Sequence, residues 1–286
     1  MLRQTGQRKL SYLQVRGGSL FYETAGEGPP LVLIHAGFLD SRMWDEQFQL
    51  FAKDARVIRY DVRGYGRSSR PSEEYSDAED LLSLLKHLNI ESASILGVSN
   101  GGRIALDFVS VHPSMVSSLI LVSPGIRGYK SSGPEEDREW EELDKKGDLQ
   151  DLAIGENRID DAVNMDLEIW APAQGPTSKG RILEIATANS HIHKNPPNKL
   201  QKSPEPPAFK KLNQIRTPTT LIVGDQDVKG MQLMTKRLHE LIPGSKLSVI
   251  GGADHIANMS RPEEFNAIVS SFLKQLGQES LASSPV

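Results

Sequence analysis

Short apolar runs recur along the chain at residues 31–34, 57–60, 93–98, 119–122, 220–223 and 247–250. Most are too brief for helices, are rich in β-branched residues and show no polar alternation. Strands covered on both faces of a parallel sheet carry this pattern. Segments with helical spacing lie between them. Residues 78–88 gather Leu81, Leu84, Leu85 and Leu88 on one face, 101–112 gather Ile104, Ala105, Phe108 and Val109, and 231–242 gather Met234, Leu238 and Leu241. Ser260-Arg261-Pro262-Glu263 has capping-box spacing and predicts the start of a last helix running to Leu276. Strand–helix alternation of this kind predicts an α/β fold with a mostly parallel central sheet flanked by helices. Residues 10–15 and 20–23 predict an antiparallel edge hairpin turning at Gly17-Gly18.

The alternation stops between residues 125 and 212. Residues 135–148 carry eight acids against three bases, two weaker amphipathic stretches follow at 160–170 and 180–189, and a proline-rich arm returns over 195–207. The expected organisation is therefore a core of 1–124 and 213–286 with a helical insertion at 125–212, its return arm stiffened by proline. The tail beyond Gly277 is expected to be disordered.

Composition narrows the function. The 286 residues include 33 Lys and Arg against 37 Asp and Glu, a net charge of −4. No basic excess argues for nucleic acid or anionic lipid as a partner. With no cysteine in the chain, thiolate catalysis and Cys-ligated metals are excluded. No stretch approaches the roughly 20 apolar residues that span a bilayer. The polar, basic amino terminus lacks the apolar core of a secretory signal, so a cytoplasmic protein is expected.

The candidate chemistry begins at Gly97-Val98-Ser99-Asn100-Gly101-Gly102, between a strand and a helix. G-x-S-x-G in that context is a sharp turn that holds a serine out at the carboxyl edge of a sheet. A serine hydroxyl at neutral pH needs a base. His255 follows the last strand pattern, and Gly224-Asp225-Gln226-Asp227 follows the one before, at the same edge. Either Asp225 or Asp227 is placed to orient the histidine, in the chain order Ser…Asp…His. His35-Ala36-Gly37-Phe38 follows the first buried strand, and its N–H groups with that of Asn100 suit a developing oxyanion. His35 itself reads as a ring that ties loops together, and Asp61–Ser68 as a charged scaffolding loop. Phe38, Met165, Trp170 and Trp140 are the candidates for lining a substrate pocket. His191-Ile192-His193 lacks a third ligand at metal spacing and reads as a polar patch, so no metal is expected.

These motifs resemble those of the α/β-hydrolase superfamily over nearly the whole length. The likeness rests on His35–Phe38, Asp61–Ser68, Gly97–Gly102, Gly224–Asp227, Gly252–His255 and Arg261–Glu264. Within it the sequence is most similar to bacterial serine carboxylesterases and enol-lactonase-like hydrolases with a helical lid. The resemblance implies Ser99, His255 and Asp227 as a triad, Gly37 and Asn100 as the oxyanion N–H donors, and 125–212 as the lid. Two positions depart from the commoner pattern: Ala36 stands where a glycine is usual, and polar Asn100 follows the serine. Neither change removes a backbone N–H.

The expected activity is hydrolysis of a small carboxylic ester or lactone, with no cofactor, in a monomer or small homo-oligomer. Carbon–carbon bond hydrolysis and cofactor-free perhydrolysis use the same triad and are the alternatives. A ligand receptor with a retained triad is the non-enzymatic one. Epoxide hydrolases and haloalkane dehalogenases of this fold carry Asp where Ser99 stands, which disfavours them. Phe38-Leu39-Asp40 does not match the glycine-rich stretch usual in carbon–carbon hydrolases.

Overall fold

The computed structural model describes residues 8–282, so the first seven residues of the basic amino-terminal stretch and the last four of the chain lie outside the described residues. The apolar runs all become strands. In chain order the elements are β1 (Lys9–Val15), β2 (Gly18–Ala25), β3 (Pro30–Ile34), α1 (Asp45–Phe51), β4 (Arg56–Tyr60), α2 (Asp77–His87), β5 (Ala93–Val98), α3 (Asn100–Val111) and β6 (Val116–Val122). Then come α4 (Pro134–Gly155), α5 (Ile159–Trp170), α6 (Pro176–Ala188), α7 (His191–Lys194), β7 (Thr219–Gly224), α8 (Lys229–Leu241), β8 (Lys246–Ile250), α9 (Ala257–Ser260) and α10 (Pro262–Ala282).

Among the described residues the strands form one eight-stranded sheet in the order β1-β2-β4-β3-β5-β6-β7-β8. β1 and β2 make the expected hairpin, with Gly17 at φ +67° in its turn, and β2 also runs antiparallel to β4. All other pairings are parallel. The carboxyl ends of β3, β5, β7 and β8 therefore share one edge, which is where an open α/β sheet builds its sites.

Side chains alternate across the sheet. Val32, Ile34, Ile58 and Ile95 face a cluster closed by Leu81 and Leu84 of α2, Phe108 of α3 and Leu238 of α8. Leu31, Leu33, Val57 and Leu96 face the opposite cluster, closed by Phe48 of α1 and Phe265 and Val269 of α10. Because both faces are covered, the strands read as unbroken apolar runs. β8 is the exception. It pairs only with β7, and Val249 is 58% exposed, so double-sided burial does not extend to this edge strand.

One element is new and two sequence expectations change. α1 was not foreseen, because its buried face includes Gln47, whose amide donates to Asn258 O and Asn266 Oδ1 rather than joining an apolar stripe. Ser260 does not cap α10. Its Oγ accepts from Asp254 N–H, and the first helical bond runs from Phe265 N–H to Arg261 C=O. α10 continues to Ala282, so the residues after Gly277 that are described are helical, not disordered.

Between β6 and β7 the chain is helical, as its pattern suggests. α4 opens with Pro134 and three acids, Glu135, Glu136 and Asp137, at the positive helix end. α5 and α6 bury Val163, Leu167, Ile182 and Ile185 against the same cluster as α10. Among the described residues the one strand-like feature here is an isolated bridge from Gln201 to Tyr75. No helix of the described residues is long and apolar enough to cross a membrane.

Candidate active site

β5 is buried along its whole length and ends in a forced turn. Ser99 has φ 54° and ψ −112°, a region that costs a non-glycine residue energy and needs support from its surroundings. The support is visible. Ser99 N–H donates to Val122 O at 2.9 Å, and Ser99 C=O accepts from Arg103 N–H and Gly125 N–H, both at 3.0 Å. The flanking glycines are required by space. A Cβ on Gly97 would stand 2.3 Å from the Gly101 carbonyl, and one on Gly101 would stand 2.3 Å from Ile34 O. Ser99 sits immediately before α3, at its positive end.

The loops after β7 and β8 also meet closely, since a Cβ on Gly224 would stand 2.1 Å from Ala253 O. His255 is buried, and its Nδ1 lies 3.0 Å from both Oδ1 and Oδ2 of Asp227. A carboxylate only accepts, so Nδ1 carries the proton and Nε2 is the basic nitrogen. Asp227 Oδ1 also accepts from Val228 N–H at 2.7 Å. Asp225, the other aspartate of the motif, is exposed and accepts from Gly252 N–H at 2.6 Å, which ties the two loops together away from the histidine. The Trp170 ring lies 4.6 Å from the imidazole, centroid to centroid.

Ser99 and His255 line one cavity of about 600 Å³, together with Gly37, Phe38, Asn100 and Trp170. A Cβ on Gly37 would be 3.5 Å from Asn100 Cβ, so the two residues are neighbours. Asn100 opens α3, and its N–H has no acceptor within the helix. The Asn100 amide is turned elsewhere, with Oδ1 accepting from Arg103 Nε at 2.8 Å. His35 has both ring nitrogens engaged: Nε2 accepts from Val62 N–H at 2.9 Å, so Nδ1–H donates to Ala36 O at 2.8 Å. Its ring is a loop tie. Asp61 accepts from Ser41 N–H and Arg67 N–H, and burial, with Asp40 close by, pushes its carboxyl up.

Two sequence candidates do not reach the cavity wall. The Trp140 indole packs against Gly230 of α8 and donates to Glu136 at 3.2 Å. Met165 is one residue out of phase on α5, where Asp166 and Trp170, four apart on one helix face, line the cavity instead.

Sequence reasoning missed most of the far wall, which is polar. Arg103 binds Asp77 at 2.5 Å and Asp107 at 3.0 Å, and Arg127 lies 3.5 Å from Asp107. Gln201 links Arg127 to Asp77. Burial and the neighbouring Arg103 pull the Arg127 guanidinium below its ordinary value. His193 Nε2 meets Asp166 Oδ2 at 3.0 Å, whereas His191 bonds Gly64 O at 2.9 Å, so the His191-Ile192-His193 pair diverges. Among the described residues no group of three His, Asp or Glu is arranged to hold a metal ion.

The sequence profile of the alpha/beta hydrolase fold matches residues 29–262. A putative 2-succinyl-6-hydroxy-2,4-cyclohexadiene-1-carboxylate synthase of Bacillus subtilis is 25% identical over 89% of this chain and 95% of its own length. A pimeloyl-[acyl-carrier protein] methyl ester esterase of Nitrosospira multiformis is 26% identical over 90% of this chain and 98% of its own. The crystal structure of the enol-lactonase from Burkholderia xenovorans LB400 superposes with a TM-score of 0.75 at 24% identity, covering 92% of this chain and 100% of that one.

Proposed function

The chain belongs to the α/β-hydrolase fold family and is an enzyme of hydrolytic type, and from that footing we propose that it is a serine hydrolase of small carboxylic esters or lactones. The observation that carries the reading is the pairing of His255 Nδ1 with Asp227 at 3.0 Å in a cavity that Ser99 also lines.

In this reading Ser99 Oγ attacks the carbonyl carbon while His255 Nε2 takes the hydroxyl proton. Asp227 holds the imidazole in the required tautomer and stabilises the imidazolium that forms. The carbonyl oxygen becomes an alkoxide held by the N–H groups of Gly37 and Asn100. One such donor is worth about 3–4 kcal/mol in the transition state. Collapse of the tetrahedral adduct expels the alcohol, which His255 protonates, and leaves an acyl group on Ser99. His255 then deprotonates a water that attacks this ester, and Ser99 recovers its proton as the acid departs. For a lactone the expelled alcohol stays tethered to the acyl group.

The helical stretch 125–212 serves as the lid in this reading, since Trp170 from α5 covers His255. A cavity of about 600 Å³ with ion-paired residues on its far wall favours a compact, polar acid or alcohol portion over a long alkyl chain. Phe38 and Trp170, with Val62, Tyr65, Ile154 and Ile192, contribute to its apolar lining. A series of nitrophenyl esters of increasing acyl length tests the reading, with Ser99→Ala as control. Activity is expected to fall beyond short acyl groups and to vanish in the variant. A Ser99→Ala protein with most of the activity removes the proposal.

A further inference from the structure

We propose that Asp254 is a positioning residue that latches the loop bearing His255 to the segment following Trp170, an inference that rests on the serine-hydrolase reading of the same site. Consecutive residues serve two partners here. His255 reaches Asp227, whereas Asp254, fully buried, turns its carboxylate to the covering segment between α5 and α6. Its Oδ2 accepts from Ala173 N–H at 3.0 Å, and its Oδ1 accepts from Gln174 Nε2 at 2.8 Å and Ile256 N–H at 3.1 Å. Gln174 Nε2 also reaches Ile256 O at 3.3 Å. One carboxylate and one amide thus stitch residues 173–174 to residues 254–256.

The stitch carries two costs that packing alone does not require. No ion pair reaches Asp254 among the described residues, and burial pushes its carboxyl up despite the bonds it accepts. Gln174 Oε1 is buried without a hydrogen-bond partner, so the amide spends its N–H on this contact and leaves its carbonyl unsatisfied. Both costs fall where the covering segment meets the loop of the base. Trp170, three residues before Ala173, has its ring 4.6 Å from the imidazole. The latch therefore sets the height of Trp170 over His255 and the placement of His255 together.

Asp254→Ala, Asp254→Asn and Gln174→Ala variants test this. Trp170 emission is isolated by subtracting spectra recorded in a Trp170→Phe background. In Asp254→Ala, kcat toward nitrophenyl acetate is expected to fall roughly ten- to hundredfold, with a smaller change in KM, because the base is displaced rather than the pocket removed. Trp170 emission should shift to the red. Asp254→Asn, which keeps one acceptor, should recover part of kcat. The Asp254→Ala/Gln174→Ala double variant should be no worse than Asp254→Ala alone. A folded Asp254→Ala protein with wild-type kcat and emission overturns the latch. If Asp254→Ala does not fold, Gln174→Ala decides: a red shift with lowered kcat supports the latch, and wild-type values of both overturn it. Emission needs no turnover, so a dispensable Ser99 would sink the proposed function while the spectra still judge the latch.

Discussion

At the residue scale the site depends on which groups have a second claim on them. Asp225 and Asp227 stand two apart after β7, but only Asp227 reaches His255, and Asp225 is spent on Gly252 N–H. Asp227→Asn is expected to lower kcat by about 10³- to 10⁴-fold in a folded protein, because an amide in place of the acceptor favours the wrong imidazole tautomer. Asp225→Ala should cost less than tenfold, a loss of about 1.4 kcal/mol or less of transition-state stabilisation. Steady-state ester kinetics on both variants separate them. Asp61 offers a pH-dependent readout. Burial raises its carboxyl above the ordinary 3.8, so the folded state binds a proton there more tightly than the unfolded chain. That contribution to stability is full below pH 3.8 and is lost as pH rises through the folded value. Asp61→Asn should therefore lose less stability than the wild type between pH 4 and 7, measured by urea unfolding at each pH. Equal losses in the two proteins would count against it.

At the element scale the strands were legible and the short helices less so. Six apolar runs gave six strands; five are buried on both faces, and β8, at the sheet edge, buries only Ile250. α1 escaped because it spans only Asp45–Phe51 and buries a glutamine. The cavity's far wall was illegible for a different reason. Arg103 finds Asp77 from α2, and His193 finds Asp166 across a helical corner, so no local spacing announces either pair. α3 links the site to the core: it starts beside Ser99 and buries Phe108 completely. Phe108→Ala is expected to destabilise the fold by about 3–5 kcal/mol, read as a lowered urea midpoint. The placement of the tryptophans gives a second test. Trp140 packs on α8, outside the cavity, whereas Trp170 lies on His255. Trp140→Phe should leave KM and kcat near wild type, while Trp170→Ala should change them. The reverse result would put Trp140, not Trp170, over the substrate.

At the scale of the whole molecule, five strands in parallel register bring loops from residues 37, 99, 227 and 255 to one sheet edge. That convergence is what the order of motifs in the sequence foretold. Residue order, glycine spacing and strand pattern are local properties that a sequence displays. How the helices between β6 and β7 sit over the edge depends on contacts between distant side chains, such as Asp254 with Gln174, which it does not.

The central claim is that Ser99 is the hydroxyl activated by His255. Labelling with a fluorophosphonate, followed by intact-mass and peptide mass spectrometry, reads this directly. One adduct per chain on the peptide containing Ser99 is expected, absent in Ser99→Ala and strongly slowed in His255→Ala. An adduct on another residue, or labelling of Ser99 at an unchanged rate without His255, would contradict it.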